Sequence, residues 1–296
     1  MGNAIHYPVK LFKRSKVSKK NLLSIYKMNS KEETKFKNNP YHFTNRHIDN
    51  SDVINIMKSL NINDFKPNNL DFYKTAFIHK SYCKLKDYEE YEYPGAPCMP
   101  LQETSYETME FLGDAILGSV VSSYLYERFN GIHKQNEGFL TKIKIRIICG
   151  ENLCKLSKDL SFGKYIVMSK HVDESCSGRM NSNFLEDVFE AFVGALYLDT
   201  DYSVVEKFIV RVIEKYVDFT EIIMIDNNYK DQISRYFQRI GGKKPVYKHY
   251  KSDESGLFRC ELYHNDKLLQ SGEGISKKKS EQDVSKKGLI YFNVIT

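Results

Sequence analysis

Glu107-Thr108-Met109-Glu110-Phe111-Leu112-Gly113-Asp114-Ala115-Ile116-Leu117 sets two carboxylates, Glu110 and Asp114, four residues apart inside an apolar stretch. Further along, Phe184-Leu185-Glu186-Asp187-Val188-Phe189-Glu190-Ala191-Phe192-Val193-Gly194-Ala195 does the same with an i, i+3 pair, Asp187 and Glu190. Each spacing puts its pair on one face of a helix. Charges on helices that are otherwise apolar are costly unless something compensates them. If the two helices face each other, four acids converge, and a hard divalent cation is the natural compensator. Mg²⁺ takes oxygen ligands and commonly combines a few carboxylates with substrate phosphate. Zinc would call for His or Cys, and neither segment offers one. The competing reading, solvated helix faces with incidental acids, is weakened by the Phe, Leu, Ile and Val around both pairs.

Working outward, four segments in order resemble the ribonuclease III family. Glu107–Leu117 is similar to its signature Glu-x-x-Glu-Phe-Leu-Gly-Asp-Ala-x-Leu. Asp187–Asp199 is similar to Asp-x-Phe-Glu-Ala-x-x-Gly-Ala-x-Tyr-Leu-Asp, Ala76–Tyr82 to Ala-Phe-Thr-His-x-Ser-Tyr, and Glu137–Thr141 to Glu-Gly-x-Leu-Thr. The resemblance implies Mg²⁺-dependent hydrolysis of double-stranded RNA that leaves 5′-phosphate and 3′-hydroxyl ends, with Mn²⁺ able to substitute. It implies Glu110, Asp114, Asp187 and Glu190 as catalytic metal ligands, and Glu190 carries the most weight, as a buried Glu on an apolar face. Glu107 and Phe111 are assigned to the subunit interface or an accessory role. Lys144 stands where the family generally has Arg. His79 reads as a buried structural residue. The family's members with one nuclease domain pair as homodimers, one site against each strand of a duplex, so a homodimer is expected here.

Bulk composition agrees. The chain has 296 residues, 41% apolar and 28% charged, enough for one or two domains with real cores. No apolar run approaches a membrane span, and the N-terminus lacks the apolar block of a secretory signal. Cys83, Cys98, Cys149, Cys154, Cys176 and Cys260 are scattered without metal spacing and read as reduced thiols. The expectation is an intracellular protein in the cytoplasm, with no membrane partner, and with nuclear access through its basic arm left open.

The net charge of +6 is unevenly distributed. Residues 229–296 hold fourteen Lys and Arg against eight Asp and Glu, and residues 1–30 hold seven basic residues and no acid, which leaves 31–228 at −7. Basic flanks to hold a polyanion and an acidic centre to hold a metal suit a metal-dependent nuclease.

The chain divides into a basic, flexible N-terminal arm over 1–50, an all-helical nuclease domain over 51–222, and a small α+β domain over 227–296. Helical patterns cover Tyr106–Phe129, Leu140–Leu160, Phe184–Tyr197 and Val204–Tyr216, with Asn183 and Glu186 as a capping box. A stretch rich in Tyr, Glu and Pro, about 83–106, reads as an insertion that forms a loop or a contact surface.

After Tyr229 the period changes. A helix over Asp231–Ile240, strands at Val246–Tyr250, Leu257–Tyr263 and Lys267–Ile275, and a helix over Lys277–Phe292 give an α-β-β-β-α order. Gly272-Glu273-Gly274-Ile275-Ser276-Lys277-Lys278-Lys279-Ser280-Glu281-Gln282 resembles the Gly-x-Gly-x-Ser-Lys-Lys-x-Ala-Glu-Gln run of double-stranded RNA-binding domains. Lysines at a helix N-terminus suit a phosphate-lined groove. Ser276, Lys277, Lys278, Lys279 and Arg235 are the expected RNA contacts. Two departures from that family's pattern stand out: Ser234-Arg235 replaces Gln-Glu, and Ser252-Asp253-Glu254-Ser255 replaces Gly-Pro-x-His.

Two other readings compete with this one. One is a catalytically weak double-stranded RNA-binding protein that sequesters or shields RNA; the presence of all four acids opposes it. The other is a Mg²⁺ phosphohydrolase of small substrates, which would carry His-Asp pairs.

Overall fold

The computed structural model describes residues 39–224, 228–251 and 256–295. In chain order the helices are α1 (Asn50–Ser59), α2 (Leu70–Thr75), α3 (Glu107–Leu125), α4 (Glu137–Ile147), α5 (Gly150–Asp159), α6 (Lys170–Ser175), α7 (Ser182–Asp199), α8 (Tyr202–Tyr216), α9 (Phe219–Met224) and α10 (Tyr229–Arg239). Strands β1 (Val246–Lys251), β2 (Phe258–His264) and β3 (Lys267–Gly274) then precede α11 (Lys277–Tyr291). The protein is mainly α, with a small α-β-β-β-α element at its C-terminal end. No helix among the described residues is long and apolar enough to cross a membrane.

Capping residues decide where several helices begin. Asp49 and Asp52 form a reciprocal capping box at α1. Asn69, Asn136, Ser169, Asn181 and Ser276 each accept a backbone N–H in the first turn of α2, α4, α6, α7 and α11. The cap of α7 is thus Asn181, not the expected Asn183: Asn183 already lies inside the helix and donates its backbone N–H to Asn181 Oδ1 at 3.0 Å.

Contacts divide the chain into two compact units, 39–120 with 150–212, and 121–149 with 213–295. The first is built on α7, whose residues Leu185, Val188, Phe189, Phe192, Val193 and Leu196 are all buried. The Phe192 ring packs at a tilt against Phe162 at 4.9 Å, Phe208 at 5.3 Å and Tyr73 at 5.6 Å. Burial of each such side chain contributes about 1.5–3 kcal/mol. Helix α5 lies along α7, where Ser157 Oγ donates to the Leu185 carbonyl at 2.5 Å. At the far end of α7, Asp199 accepts from Asn68 N at 3.0 Å, Asn69 N at 2.6 Å and Tyr73 Oη at 2.8 Å, anchoring the start of α2.

The expected helix over Leu140–Leu160 is two helices. α4 ends at Ile147 and α5 begins at Gly150, where a Cβ would sit 2.1 Å from Glu186 Oε2. Residues 39–49, grouped by sequence with the basic arm, are packed. Asn45 donates to Met168 O at 2.8 Å and accepts from Arg179 at 2.9 Å, and His42 Nε2 lies 2.8 Å from Asp173 Oδ2. Residues 1–38, which include the seven basic residues of 1–30, lie outside the described residues.

The tyrosine-rich stretch is also folded. Tyr88 and Cys98 are buried. Tyr88 Oη donates to Ser81 O at 3.1 Å, Tyr93 Oη to Cys98 O at 2.5 Å and Tyr82 Oη to Met99 O at 2.7 Å.

In the second unit, the Arg146 guanidinium donates to the Ile222 carbonyl of α9, and the Arg128 guanidinium lies 4.9 Å over the Phe219 ring. The antiparallel sheet has the order β1-β2-β3, with Val246 opposite Tyr263 and Phe258 opposite Gly274. Its core is Ile233 and Phe237 of α10, Cys260 and Leu262 of β2, and Val284 and Leu289 of α11. Gly272 and Gly274 let α11 approach β3: a Cβ there would meet Val284 N at 2.6 Å and Ser280 N at 2.5 Å.

Candidate active site

Two glycines bring α3 and α7 into backbone contact. A Cβ on Gly113 would sit 1.8 Å from the Glu190 carbonyl oxygen, and one on Gly194 would sit 2.3 Å from the Met109 carbonyl oxygen. Any larger residue would push the helices apart. The crossing sets the acid face of α3 beside that of α7.

The result is a pocket of about 390 Å³ lined by Glu107, Glu110, Glu186, Asp187 and Glu190, with His79, Lys80, Tyr106, Asn183 and Phe184 completing its wall. The pocket thus gathers three of the four expected acids, Glu110, Asp187 and Glu190. The fourth, Asp114, is solvent-exposed and outside the lining, although its charge acts on Glu190 and Glu186. Glu107, expected in an accessory role, lines the pocket, while Phe111 points to solvent at 81% exposure. Glu190 is half-buried rather than buried, because its face of α7 opens on the pocket.

Hydrogen bonds hold part of this acid ring. Tyr106 Oη donates to Asp187 Oδ2 at 2.8 Å. Glu107 accepts from Lys80 Nζ and Ser105 Oγ, each at 3.2 Å. The His79 ring lies 4.4 Å from the Phe184 ring, and its Nδ1 accepts the Ser81 backbone N–H at 3.2 Å. Burial pushes the His79 imidazole down to about 4, so it stays neutral. His79 is therefore the buried structural residue expected, although it also forms wall.

Crowding of like charge marks the pocket. Burial, then Asp114, Glu186, Glu110 and Asp187, pushes the Glu190 carboxyl up to about 8. Burial, then Asp187, Glu107 and Glu186, pushes Glu110 up to about 7 against the pull of Lys80. Burial likewise raises Asp187, against the Tyr106 hydrogen bond and Lys80, and raises Glu186. Among the described residues no group of three His, Cys, Asp or Glu is preassembled as a cation cage. The donor set nevertheless fits a hard cation: it is all carboxylate oxygen, and Lys80 is the one cation in the pocket lining.

The sequence assigns Glu186 only to a capping box, and gives Tyr106 and Lys80 no role. Glu186 had a signal, its place beside Asp187 on the same helix. The phenol of Tyr106 had none, since it reaches Asp187 across eighty-one positions of sequence.

In the second unit Lys277, Lys278 and Lys279 are all exposed at the start of α11, and Ser276 caps it by accepting from Lys279 N at 3.3 Å. Glu281 and Gln282 of the same run turn inward: Lys230 Nζ donates to Glu281 at 2.6 Å and Lys230 N to Gln282 Oε1 at 3.2 Å. Arg235 Nε lies 2.9 Å from Asp231 Oδ2, one turn away on α10. The Ser252–Ser255 departure lies outside the described residues.

A family model described as Ribonuclease-III-like matches residues 69–217, and one described as Double-stranded RNA binding motif matches 229–291. The chain is 35% identical over 199 residues to the probable ribonuclease 3 of Acanthamoeba polyphaga mimivirus, covering 65% of this chain and 35% of that longer protein. It is 36% identical over 217 residues to ribonuclease 3 of Enterococcus faecalis, covering 72% of this chain and 87% of that one. Among solved structures, the nuclease domain of Campylobacter jejuni ribonuclease III matches with 26% identity and a TM-score of 0.43, over 55% of this chain and 96% of that one. With the two models in tandem and 87% of the Enterococcus protein aligned, the chain belongs to the ribonuclease III family.

Proposed function

We propose that this protein is an endoribonuclease that hydrolyses phosphodiesters of double-stranded RNA with Mg²⁺, leaving 5′-phosphate and 3′-hydroxyl ends. The family's nucleases are generally metal-dependent; the choice of Mg²⁺, with Mn²⁺ as a working substitute, rests on the all-oxygen donor set. The observation that carries the reading is the convergence of Glu110, Asp187 and Glu190 on one pocket across the Gly113–Gly194 crossing.

Glu110, Asp114, Asp187 and Glu190 are the residues that would hold the cation. When bound it supplies Lewis acidity, lowering the pKa of a water and neutralising charge on the leaving oxygen. The chain's own groups do the rest. The carboxylates are ligands and need not act as bases. Lys80 balances Glu107 at the pocket rim. Lys277, Lys278 and Lys279 offer exposed ammonium groups to phosphates at a helix N-terminus, where the backbone N–H groups also favour an anion. Arg235 assists more weakly, because it already pairs with Asp231.

The division of labour is a nuclease domain over 51–222, with the folded 83–106 stretch inside it, and an RNA-binding domain over 227–296, in an intracellular, cytoplasmic protein. A duplex needs two cuts, so two copies paired by a two-fold axis would set one pocket against each strand. A long RNA duplex incubated with Mg²⁺ tests the reading. The expected products are short duplexes whose 5′ ends accept ligation without prior phosphorylation and whose 3′ ends are hydroxyls. Products with 3′-phosphates, or equal cutting of single strands, would contradict it.

A further inference from the structure

Tyr106 touches both halves of the acid pocket. Its backbone carbonyl accepts the N–H of Glu110 at 2.9 Å, opening the helix that carries that acid. Its phenol donates to Asp187 Oδ2, 2.8 Å away on the facing helix. Tyr106 is 2% exposed, so the donor side of the hydrogen bond is shielded from water, while the half-buried Asp187 faces the pocket.

A backbone bracket fixes the residue in place. Tyr106 N donates to Ile78 O at 2.9 Å, and Gln102 N to Tyr82 O at 3.0 Å. Lys84 N donates to Gln102 O at 2.8 Å, and His79 N to Val167 O at 2.9 Å. The 83–106 stretch is thereby tied to both ends of the segment that carries His79 and Lys80, at Ile78 and Tyr82, while Val167 holds His79, and it ends at Tyr106.

We propose that Tyr106 is a positioning residue: its phenol fixes the Asp187 carboxylate so that one oxygen is held by the protein and the other faces the pocket for a divalent cation. This rests on the metal-site reading above and adds a group to it. Outer hydrogen bonds that orient a ligating carboxylate typically change metal affinity about 10–100-fold when removed. The phenol is also a neutral donor, so it orients Asp187 without cancelling the charge a cation needs.

The test is Mn²⁺ binding to the full, RNA-free chain, read by electron paramagnetic resonance, beside the Mg²⁺ dependence of duplex cleavage. Tyr106→Phe keeps the ring and the backbone bonds. It is expected to weaken Mn²⁺ binding about tenfold and to raise the Mg²⁺ concentration for half-maximal cleavage by the same factor. The rate at saturating Mg²⁺ stays within about twofold, because the ligand set itself is intact. Tyr82→Phe removes a phenol of the same bracket that bonds Met99 O instead of an acid, and it should leave Mn²⁺ affinity unchanged. Equal weakening in both variants would make the role of Tyr106 structural and overturn the proposal. Unchanged affinity in Tyr106→Phe, with binding lost in Asp187→Asn, overturns it too and leaves the metal reading standing. No Mn²⁺ uptake by the wild type overturns both.

Discussion

Gly113 lies against Glu190 so closely that a methyl group on the glycine would overlap the Glu190 carbonyl oxygen, at 1.8 Å. The obstacle is backbone, which cannot rotate away as a side chain can. The family's Phe-Leu-Gly-Asp run therefore has a steric reason for its glycine: the residue sets the distance between the two acid-bearing helices. Gly113→Ala should cost about 1–3 kcal/mol, the usual range for overpacking, or more. Thermal melting should show the loss. Duplex cleavage should fall more than duplex binding in a gel shift, because the substitution splays the pocket and leaves α11 untouched. Equal activity in Gly113→Ala would contradict this.

The pocket acids make stability depend on pH in a chosen direction. Without a cation, Glu190 titrates near 8 and Glu110 near 7, against 4.5 for a free glutamate. Between those values the native state holds protons that the unfolded chain has released. Stability contributed by these groups therefore falls as pH rises from about 4.5 to about 8, then levels off. His79, pushed down to about 4, works the opposite way below about 6.5, so the clean window lies above that. In EDTA the melting temperature should fall between about pH 6.5 and 8.5, and fall less in Glu190→Gln. Added Mg²⁺ should flatten the wild-type curve by replacing the protons.

Asp199 closes the Asp187–Asp199 motif and has a different duty from the acids before it. Its carboxylate gathers Asn68 N, Asn69 N and Tyr73 Oη at the start of α2, away from the pocket lining. Asp199→Asn should destabilise the fold by about 1.5–3 kcal/mol, the range for hydrogen bonds to a charged group. Cleavage per folded molecule at low temperature should be unchanged. A selective loss of cleavage at full stability would instead put Asp199 in the chemistry.

RNA binding should rest on the start of α11. Replacing Lys277, Lys278 and Lys279 with Ala should weaken duplex binding and lower the salt dependence by about one for each lysine that meets a phosphate. Arg235→Ala should weaken binding less, since Asp231 already holds that guanidinium. An unchanged salt slope in the triple variant would move the RNA surface elsewhere.

Much of this was legible in the sequence because it is periodic. The i, i+4 spacing of Glu110 and Asp114 and the i, i+3 spacing of Asp187 and Glu190 report helix faces directly. The Gly272-to-Gln282 run fixes a strand, a cap and a helix in one short stretch. What escaped has no period. Asn45 docks through its side-chain amide, a contact with no spacing signature, so residues 39–49 read as arm. The break between α4 and α5 escaped because Ile147 and Ile148 carry the apolar pattern across it; the close approach of Glu186 to Gly150, where α5 begins, comes from a distant helix. Tyr106 escaped for the same reason, since its partner is set by the helix crossing. The partial exposure of Glu190 follows from the pocket, and Asp114 is solvent-exposed beside it; the apolar residues around them conceal both in sequence.

Whether the acid pocket cuts RNA is settled by Mg²⁺-dependent cleavage of a long RNA duplex by the wild type and by Glu190→Ala, with duplex binding measured in parallel. The wild type should cut, and the variant should bind the duplex equally well without cutting it. A wild type that binds duplex RNA but never cuts it, with either Mg²⁺ or Mn²⁺, would instead make the protein an RNA-binding shield. Cleavage by Glu190→Ala at the wild-type rate would remove this pocket from the chemistry.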